Sequence, residues 1–206
     1  MFFYRDEKPA GRRLPKQRRS SEVYFSIIKA AEQLIEKKGY EKTTTNNIAN
    51  RAGVSIGSLY QYFSDKLSVL SAIIDSRIEK HIDILCKSVE EVKDEGLDPY
   101  VETLLEACYN LFIVDRKAIK KYFLTEILML RYKTILNARK RIAKLFSKDV
   151  QKYFPAKTSK EVDKNVELAV HALLGVIHGM IWHEAKVVPL EVFIKDGKAL
   201  IKSYLE

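Results

Sequence analysis

Hydroxyl and amide side chains crowd one short stretch of the sequence, TTTNNIANRAGVSIGSLYQYFSDK, which runs from Thr43 to Lys66. Serine, threonine and tyrosine hydroxyls and the glutamine amide donate and accept hydrogen bonds without bearing a charge. Such groups contact phosphate oxygens and base edges where proteins meet DNA. A helix built only for packing has no need of a glycine and so many small hydroxyls, so the stretch predicts a surface that meets a partner.

The same stretch contains the signals of two short helices and a tight turn. Thr44 is a suitable N-cap for a helix from Thr45 to Ala52, and Ser55 is one for a helix from Ile56 to Tyr62. Gly53 lies between them and supplies the positive φ of a sharp turn. Two short helices joined in this way predict a helix-turn-helix inside a three-helix unit.

Apolar residues indicate which side of the predicted third helix faces inward. Ile48, Ala49 and Val54 are expected to form a small core with Leu59 and Phe63, and Ala49 is small because the two helices cross closely. The positions left to face outward are polar or small: Gly57, Ser58, Tyr60, Gln61 and Tyr62.

A series of residues at fixed spacing resembles the signature of TetR-family transcriptional regulators. It comprises Thr44-Thr45, Ile48-Ala49, Ala52-Gly53-Val54-Ser55, Gly57, Leu59-Tyr60, Tyr62-Phe63 and Lys66. The resemblance covers roughly residues 23–70. The later helices match the family in number and length only, without a motif.

The resemblance implies that the third helix enters the major groove of DNA by its N-terminal half. Gly57 would let the backbone approach the DNA closely. Ser55, Ile56, Ser58 and Gln61 would then reach base edges, where glutamine pairs with adenine and isoleucine touches a thymine methyl group.

Contacts with the phosphate backbone are expected from residues on either side of the reading positions. The phenols of Tyr60 and Tyr62 suit phosphate oxygens, although Tyr60 has an alternative role as a cover for the edge of the core. Thr44 and Thr45 stand at a helix N-terminus, where backbone amides are free to bind an anion. Lys66 stands in the first turn of the next helix, against the helix dipole, which is understandable if a phosphate binds beside it.

The whole chain of 206 residues predicts an all-α fold of about nine helices. We expect a flexible basic arm over residues 1–20, the helix-turn-helix DNA-binding domain over residues 21–66, and a larger helical bundle for ligand binding and dimerisation over residues 67–206. The first helix is expected from about Ser21, with Ser20 or Ser21 as its cap, and Ser64 is expected to cap the fourth. The arm either enters a minor groove, grazes phosphates or stays solvated.

Positive charge is concentrated in the first third of the chain. The first 66 residues hold 13 of the 36 Lys and Arg but only 7 of the 27 Asp and Glu, so they account for +6 of the net charge of +9. This asymmetry is typical of an N-terminal module that meets a polyanion. A generally basic proteome would explain the total charge but not its distribution.

Several classes of protein are disfavoured. Cys86 and Cys108 lack metal-binding spacing and read as free thiols of a cytoplasmic protein, and neither a signal peptide nor a membrane span is apparent. His171 and His178 are two turns apart with His183 directed elsewhere, and no catalytic motif occurs, so we expect no enzyme, no catalytic residue, no metal and no cofactor. A sequence-tolerant architectural DNA-binding protein remains the alternative.

A single helix-turn-helix buries little DNA surface, so we expect a homodimer that binds a palindromic operator in double-stranded DNA. Small residues in the stretch from Asn165 to Trp182 would let another helix approach closely. The expected interface residues are Ala172, Gly175, Ile177, Gly179, Met180, Phe193, Leu200 and Ile201. Alternatively, the two glycines only allow this helix to pack inside its own subunit.

The family resemblance also implies a cavity for a small-molecule effector in the later helices. These helices are rich in aromatic residues, and the expected lining is Tyr109, Phe112, Phe123, Met129, His178 and Trp182. Each of these residues is otherwise plain core. An apolar or amphipathic effector that releases a repressor from its operator is the expected mode of action.

Overall fold

The computed structural model describes residues 18–114, 116, 132–182 and 188–205, and all regular structure within these ranges is helical. The α-helices are α1 (Arg18–Lys38), α2 (Thr45–Ala52), α3 (Ile56–Tyr62), α4 (Lys66–Val89), α5 (Leu97–Cys108), α6 (Tyr132–Val150), α7 (Ser159–Trp182) and α8 (Leu190–Leu205). A π-helical segment, Tyr109–Val114, continues α5, and a 3₁₀ turn, Gln151–Tyr153, follows α6. The all-α prediction is confirmed.

Contacts divide the chain into two units, one up to Ile78 and the other from Glu79 onward. Helix α4 is continuous across this division. The boundary expected from the sequence lay after residue 66, where α4 begins, whereas the first thirteen residues of α4 count with the first unit.

The first unit is held together by an apolar core between α1, α2, α3 and the start of α4. Its fully buried side chains are Ile27, Ile35, Ile48, Leu59, Phe63, Leu70 and Ile73. Tyr24 of α1 stacks on Phe63 with ring centroids 5.0 Å apart. Arg77 of α4 also pairs with two carboxylates of α1, at 2.8 Å from Glu32 and 3.0 Å from Glu36.

Two helix starts differ from the sequence prediction. The chain is already helical at Arg18, the first described residue, so Ser20 and Ser21 lie inside helix α1 and do not cap it. Helix α4 is capped by Asp65 rather than Ser64: Oδ1 of Asp65 accepts from the Ser68 amide at 2.7 Å, and Ser68 Oγ accepts from the Asp65 amide at 3.2 Å. This reciprocal pair satisfies two amides, which a lone serine cap does not.

The second unit is a bundle of α5, α6, α7 and α8 with the C-terminal part of α4. Its core contains one stripe along α7, comprising Val162, Val166, Ala169, Leu173, Ile177 and Ile181. Helix α8 approaches α5 so closely that a Cβ built at Gly197 would lie 2.7 Å from Cδ2 of the buried Leu105. Cys86 and Cys108 are both free thiols, as expected.

A small apolar cavity of about 40 Å³ lies in the second unit. Its wall includes Tyr100, Val101 and Leu104 of α5, Phe146 of α6, Leu173 of α7 and Ile201 of α8. Pockets that enclose drug-sized ligands measure about 300–1,000 Å³. The cavity is therefore too small for such a ligand in this conformation.

Within the described ranges, no helix is both long enough and apolar enough to span a membrane.

Candidate nucleic-acid interface

Helices α2 and α3 begin and end at the predicted residues, because each end carries a strong local signal. The Thr44 hydroxyl accepts from the Asn47 amide at 3.2 Å, and the Ser55 hydroxyl accepts from the Ser58 amide at 3.0 Å. Gly53 has φ 70°, a left-handed conformation that L side chains rarely adopt. Its amide donates back to Asn50 O at 3.2 Å, which ends α2 and starts the turn.

Helix α3 has one buried side and one exposed side. Leu59 and the adjoining Phe63 have no exposed surface, whereas Ile56 is 38% and Tyr60 is 42% exposed. Gly57 and Gln61 are exposed as well, while Ser58 is half-buried. Two large apolar anchors thus hold a seven-residue helix so that its other side faces outward.

Tyr62 lies between these two groups. It is half-buried, and its ring contacts the Tyr24 ring edge-on at a centroid distance of 6.2 Å. Tyr62 therefore helps to pack α3 against α1 while part of its surface remains accessible.

Four hydroxyl groups of this region form two pairs, one between α2 and α3 and one at the start of α3. Oγ1 of Thr45 lies 3.2 Å from Oη of Tyr60, and the Oγ atoms of Ser55 and Ser58 lie 2.8 Å apart. The first pair joins the N-terminal turn of α2 to the outer side of α3. The hydroxyls that the sequence identified one by one therefore form two hydrogen-bonded pairs.

Gly57 is not required by the fold of the first unit. Its φ is not in the left-handed region, and an added Cβ would meet only Ser55 Oγ, at an ordinary 3.8 Å. A side chain is thus absent where it would project into open space, which is consistent with close approach of an external partner.

Lys66 has a partner inside the protein. Its ammonium donates to the carbonyl oxygen of Tyr40 at 3.0 Å and lies 3.9 Å from the centroid of the Tyr40 ring. Sequence reasoning missed Tyr40, which lies 26 positions away in the turn between α1 and α2. No local sequence signal could have revealed such a contact.

The turn between α1 and α2 contains further structure that the sequence analysis left out. Thr43 is fully buried, and its hydroxyl donates to Gly39 O at 2.8 Å. The ammonium of Lys38 donates to Oδ1 of Asn47 at 2.6 Å, which joins the end of α1 to α2. The available signal was the position of Thr43, the first of three consecutive threonines and the residue directly before the cap Thr44.

The predicted effector residues are only partly within the described structure. Tyr109 donates from its hydroxyl to Val188 O at 2.9 Å, and Phe112 meets the His81 ring edge-on at 5.1 Å. Burial and the positive charge of Arg139 lower the pKa of His178, which favours its neutral form. Phe123, Met129 and the side chain of Trp182 lie outside the described residues. The cavity of the second unit is lined by none of the six.

The predicted interface residues fall into two groups. Ile177, Phe193 and Ile201 are buried inside the subunit and offer almost no surface to a second chain. Gly175 is exposed, and Ala172, Gly179, Met180 and Leu200 are half-buried. An added Cβ at Gly175 or Gly179 would meet nothing within 4 Å in the described part of the chain, so packing there does not require glycine.

Groups of three or more His, Cys, Asp or Glu side chains that could hold a metal ion are not found among the described residues.

The geometry of α2 and α3 defines a class of protein. Two capped helices, a left-handed glycine turn, a buried inner side and a hydroxyl-rich outer side make up a helix-turn-helix DNA-binding unit. Residues 27–73 match the family model for bacterial regulatory proteins of the tetR family.

Curated relatives match about half of the chain. The HTH-type transcriptional regulator TtgR of Pseudomonas putida is 33% identical over 100 residues, 48% of this chain and 46% of the relative. The fatty acid metabolism regulator protein of Bacillus subtilis is 32% identical over 111 residues, 52% of this chain and 56% of the relative. The chain therefore matches about half the length of these relatives.

Solved structures match almost the whole chain in fold. The fatty acid degradation regulator FadR from Bacillus halodurans has a TM-score of 0.60 at 21% identity, over 91% of this chain and 96% of that one. A TetR-family transcriptional regulator from Streptomyces coelicolor has a TM-score of 0.56 at 20% identity, over 90% of this chain and 97% of that one. The family model and the relatives thus identify a tetR-family helix-turn-helix domain in this chain, and the solved structures match its fold. The resemblance stated from the sequence is confirmed.

Proposed function

We propose that the protein is a sequence-specific repressor that binds a palindromic operator as a homodimer and is released by an apolar or amphipathic small molecule. The observation that carries the DNA-binding part is the division of α3 into two sides. Leu59 and Phe63 fix the helix to the first unit, and the exposed side presents a hydroxyl, an amide and a glycine with open space before it.

Base recognition is assigned to four residues of the outer side of α3 and its cap. Ile56 offers an exposed apolar surface for a thymine methyl group, and Gln61 offers both a donor and an acceptor for adenine. Ser58 contributes its hydroxyl. The Ser55 hydroxyl already accepts from the Ser58 amide, so Ser55 meets a base only with its remaining hydrogen-bonding capacity.

Phosphate contacts are assigned to the hydroxyls around the reading positions and to the backbone at Gly57. Oγ1 of Thr45 lies 3.2 Å from Oη of Tyr60, so both hydroxyls are close enough to donate to oxygens of one phosphate. Thr44 stands at the N-terminus of α2, and Tyr62 has part of its surface accessible. These contacts would hold α3 in register without reading sequence.

Dimerisation is assigned to the side of α7 that faces away from its own core. Leu168 and Val176 are large apolar residues that are 44% and 47% exposed, and Gly175, directly before Val176, is exposed as well. Small residues beside exposed apolar ones allow two helices to approach closely and bury apolar surface. Ala172, Met180 and Leu200 complete this proposed surface.

The effector is assigned to the second unit, with Tyr109, Phe112 and His178 as the described candidates. A neutral His178 suits an apolar ligand, because burying its charged form would carry a desolvation cost. The B. subtilis relative is named a fatty acid metabolism regulator, which makes fatty acids the first compounds to test.

Release is proposed to follow from a shift between two conformations. A ligand that binds one of them more tightly would change the separation of the two reading heads, which a fixed operator does not tolerate. A coupling free energy of about 3 kcal/mol would reduce operator affinity by roughly 150-fold. Helix α4, continuous from one unit into the next, is the covalent element through which such a change would pass.

Selection of DNA duplexes from a random library by the purified protein tests the proposal. A palindromic consensus, bound at physiological salt in the presence of bulk competitor DNA, is the expected result. Binding that ignores sequence under these conditions would instead support an architectural protein. DNA upstream of the protein's own gene is the first natural fragment to compare with the consensus.

A further inference from the structure

The ammonium of Lys66 is occupied before any DNA is present. It donates to the Tyr40 carbonyl at 3.0 Å and lies over the Tyr40 ring at 3.9 Å from its centroid. Lys66 is half-buried. A cation in the first turn of a helix is disfavoured by the helix dipole, and a carbonyl oxygen together with an aromatic face compensates for that cost. No phosphate is needed to explain why a lysine stands at this position.

The carbonyl that Lys66 holds also organises the turn before α2. The Thr43 amide donates to the same oxygen at 3.0 Å, and the buried Thr43 hydroxyl closes the turn on Gly39 O. The next residue, Thr44, caps α2 through the Asn47 amide. The Tyr40 carbonyl thus accepts hydrogen bonds both from Lys66, the first residue of α4, and from the amide of Thr43, the residue before the α2 cap.

The chain of contacts continues to the outer side of α3. Thr45 follows the cap, and its hydroxyl is paired with that of Tyr60. A displacement of the turn at Tyr40 would therefore move Thr44 and Thr45 together. It would also change the distance between the Thr45 and Tyr60 hydroxyls.

We propose that Lys66 is a positioning residue, which holds the Tyr40 turn so that the hydroxyls of Thr44, Thr45 and Tyr60 stand ready for DNA, and that it does not itself bind a phosphate. The inference rests on the proposed DNA-binding function. It replaces the direct phosphate contact that the sequence alone suggested for this lysine.

Hydrogen exchange of the free protein is the first test. Lys66→Met removes a donor to the Tyr40 carbonyl, so exchange of the Thr43 and Asn47 amides should accelerate by about fivefold or more. Lys66→Arg should restore protection, because a guanidinium both donates to a carbonyl and stacks on an aromatic ring. Lys80→Met on the exposed side of α4 is the matched control and should change neither amide.

The salt dependence of DNA affinity is the second test, with a duplex selected from a random library by the wild-type protein. Lys66→Met should bind about tenfold more weakly, yet with an unchanged slope of log affinity against log salt. A lysine that neutralised one phosphate would reduce that slope by about 0.9. Lys66→Arg should bind within about twofold of the wild type.

The outcomes separate the inference from the function on which it rests. Unchanged exchange at Thr43 and Asn47, or a slope reduced by about one unit in Lys66→Met, would overturn the positioning role. If the wild-type protein selects no duplex, the DNA-binding function fails, and the exchange experiment still decides whether Lys66 holds the turn.

Discussion

The buried residues of α3 determine which of its residues face outward. Leu59 and Phe63 are completely buried, which leaves Ile56, Gly57, Tyr60 and Gln61 exposed on the other side. Local sequence was sufficient to predict this arrangement, because the caps Thr44 and Ser55 and the glycine turn all lie within a few positions of the helices they shape. The role of Lys66 could not be predicted in this way, because its partner is distant in sequence.

Tyr60→Phe and Gln61→Ala should weaken DNA binding in different ways. Tyr60→Phe removes the tyrosine hydroxyl that is proposed to contact a phosphate. DNA affinity should fall about fivefold on every duplex, as expected for the loss of one hydrogen bond of about 1 kcal/mol. Gln61→Ala should relax discrimination at one base pair by about 1–3 kcal/mol. Mobility-shift titrations on the selected duplex and its single-base variants measure both effects, and unchanged binding by both variants would show that α3 docks differently.

Gly57→Ala should affect stability and DNA binding in opposite directions. Alanine has the higher helix propensity, and the added Cβ has open space, so the free energy of unfolding should rise by about 0.5–1 kcal/mol. The same methyl group would hinder close approach to DNA, so affinity should fall. Urea unfolding and DNA titration of the same sample provide the two measurements; affinity equal to that of the wild type would remove Gly57 from the interface.

At the scale of helices, the sequence predicted where helices lie better than what each of their sides contacts. The apolar period of α7 was evident, but the period alone does not distinguish a side that meets its own subunit from one that meets another chain. Ile177 was therefore grouped with Gly175 and Gly179, although the structure buries it and leaves Gly175 exposed. The close approach of α8 to α5 at Gly197 likewise depends on a partner that is distant in sequence.

Gly197→Ala should destabilise the second unit. Its Cβ would overlap Cδ2 of Leu105, which is fully buried and has little room to move, so we expect a loss of about 1–3 kcal/mol in the free energy of unfolding. Gly57→Ala is the matched control, since it also replaces a helical glycine without such a neighbour. Equal stability changes in the two variants would contradict the assigned role of the Gly197 contact.

For the whole molecule, the proposed function requires two subunits, because a palindrome is read by two heads at a fixed separation. The exposed side of α7 is the surface proposed for this contact. Leu168 and Val176 are large apolar residues on this side, and they are 44% and 47% exposed.

Val176→Lys should convert the protein to a monomer and abolish tight operator binding. It places a charge in the proposed apolar interface while leaving the subunit core intact. Leu145→Lys is the control, because Leu145 of α6 is similarly exposed, at 40% against 47% for Val176. Sedimentation velocity gives the association state of each variant, and a Val176→Lys protein that remains dimeric would place the interface elsewhere.

The two-sided construction of α3 also bears on how such a protein diverges. The side chains that hold the helix in place differ from those proposed to read bases: Leu59 and Phe63 serve the first purpose, and Ile56, Ser58 and Gln61 are proposed for the second. Gene duplicates could therefore acquire new target sites through changes at the three outer positions at little cost to folding. For the same reason, these three positions are suitable for randomisation when repressors are engineered to bind different operators.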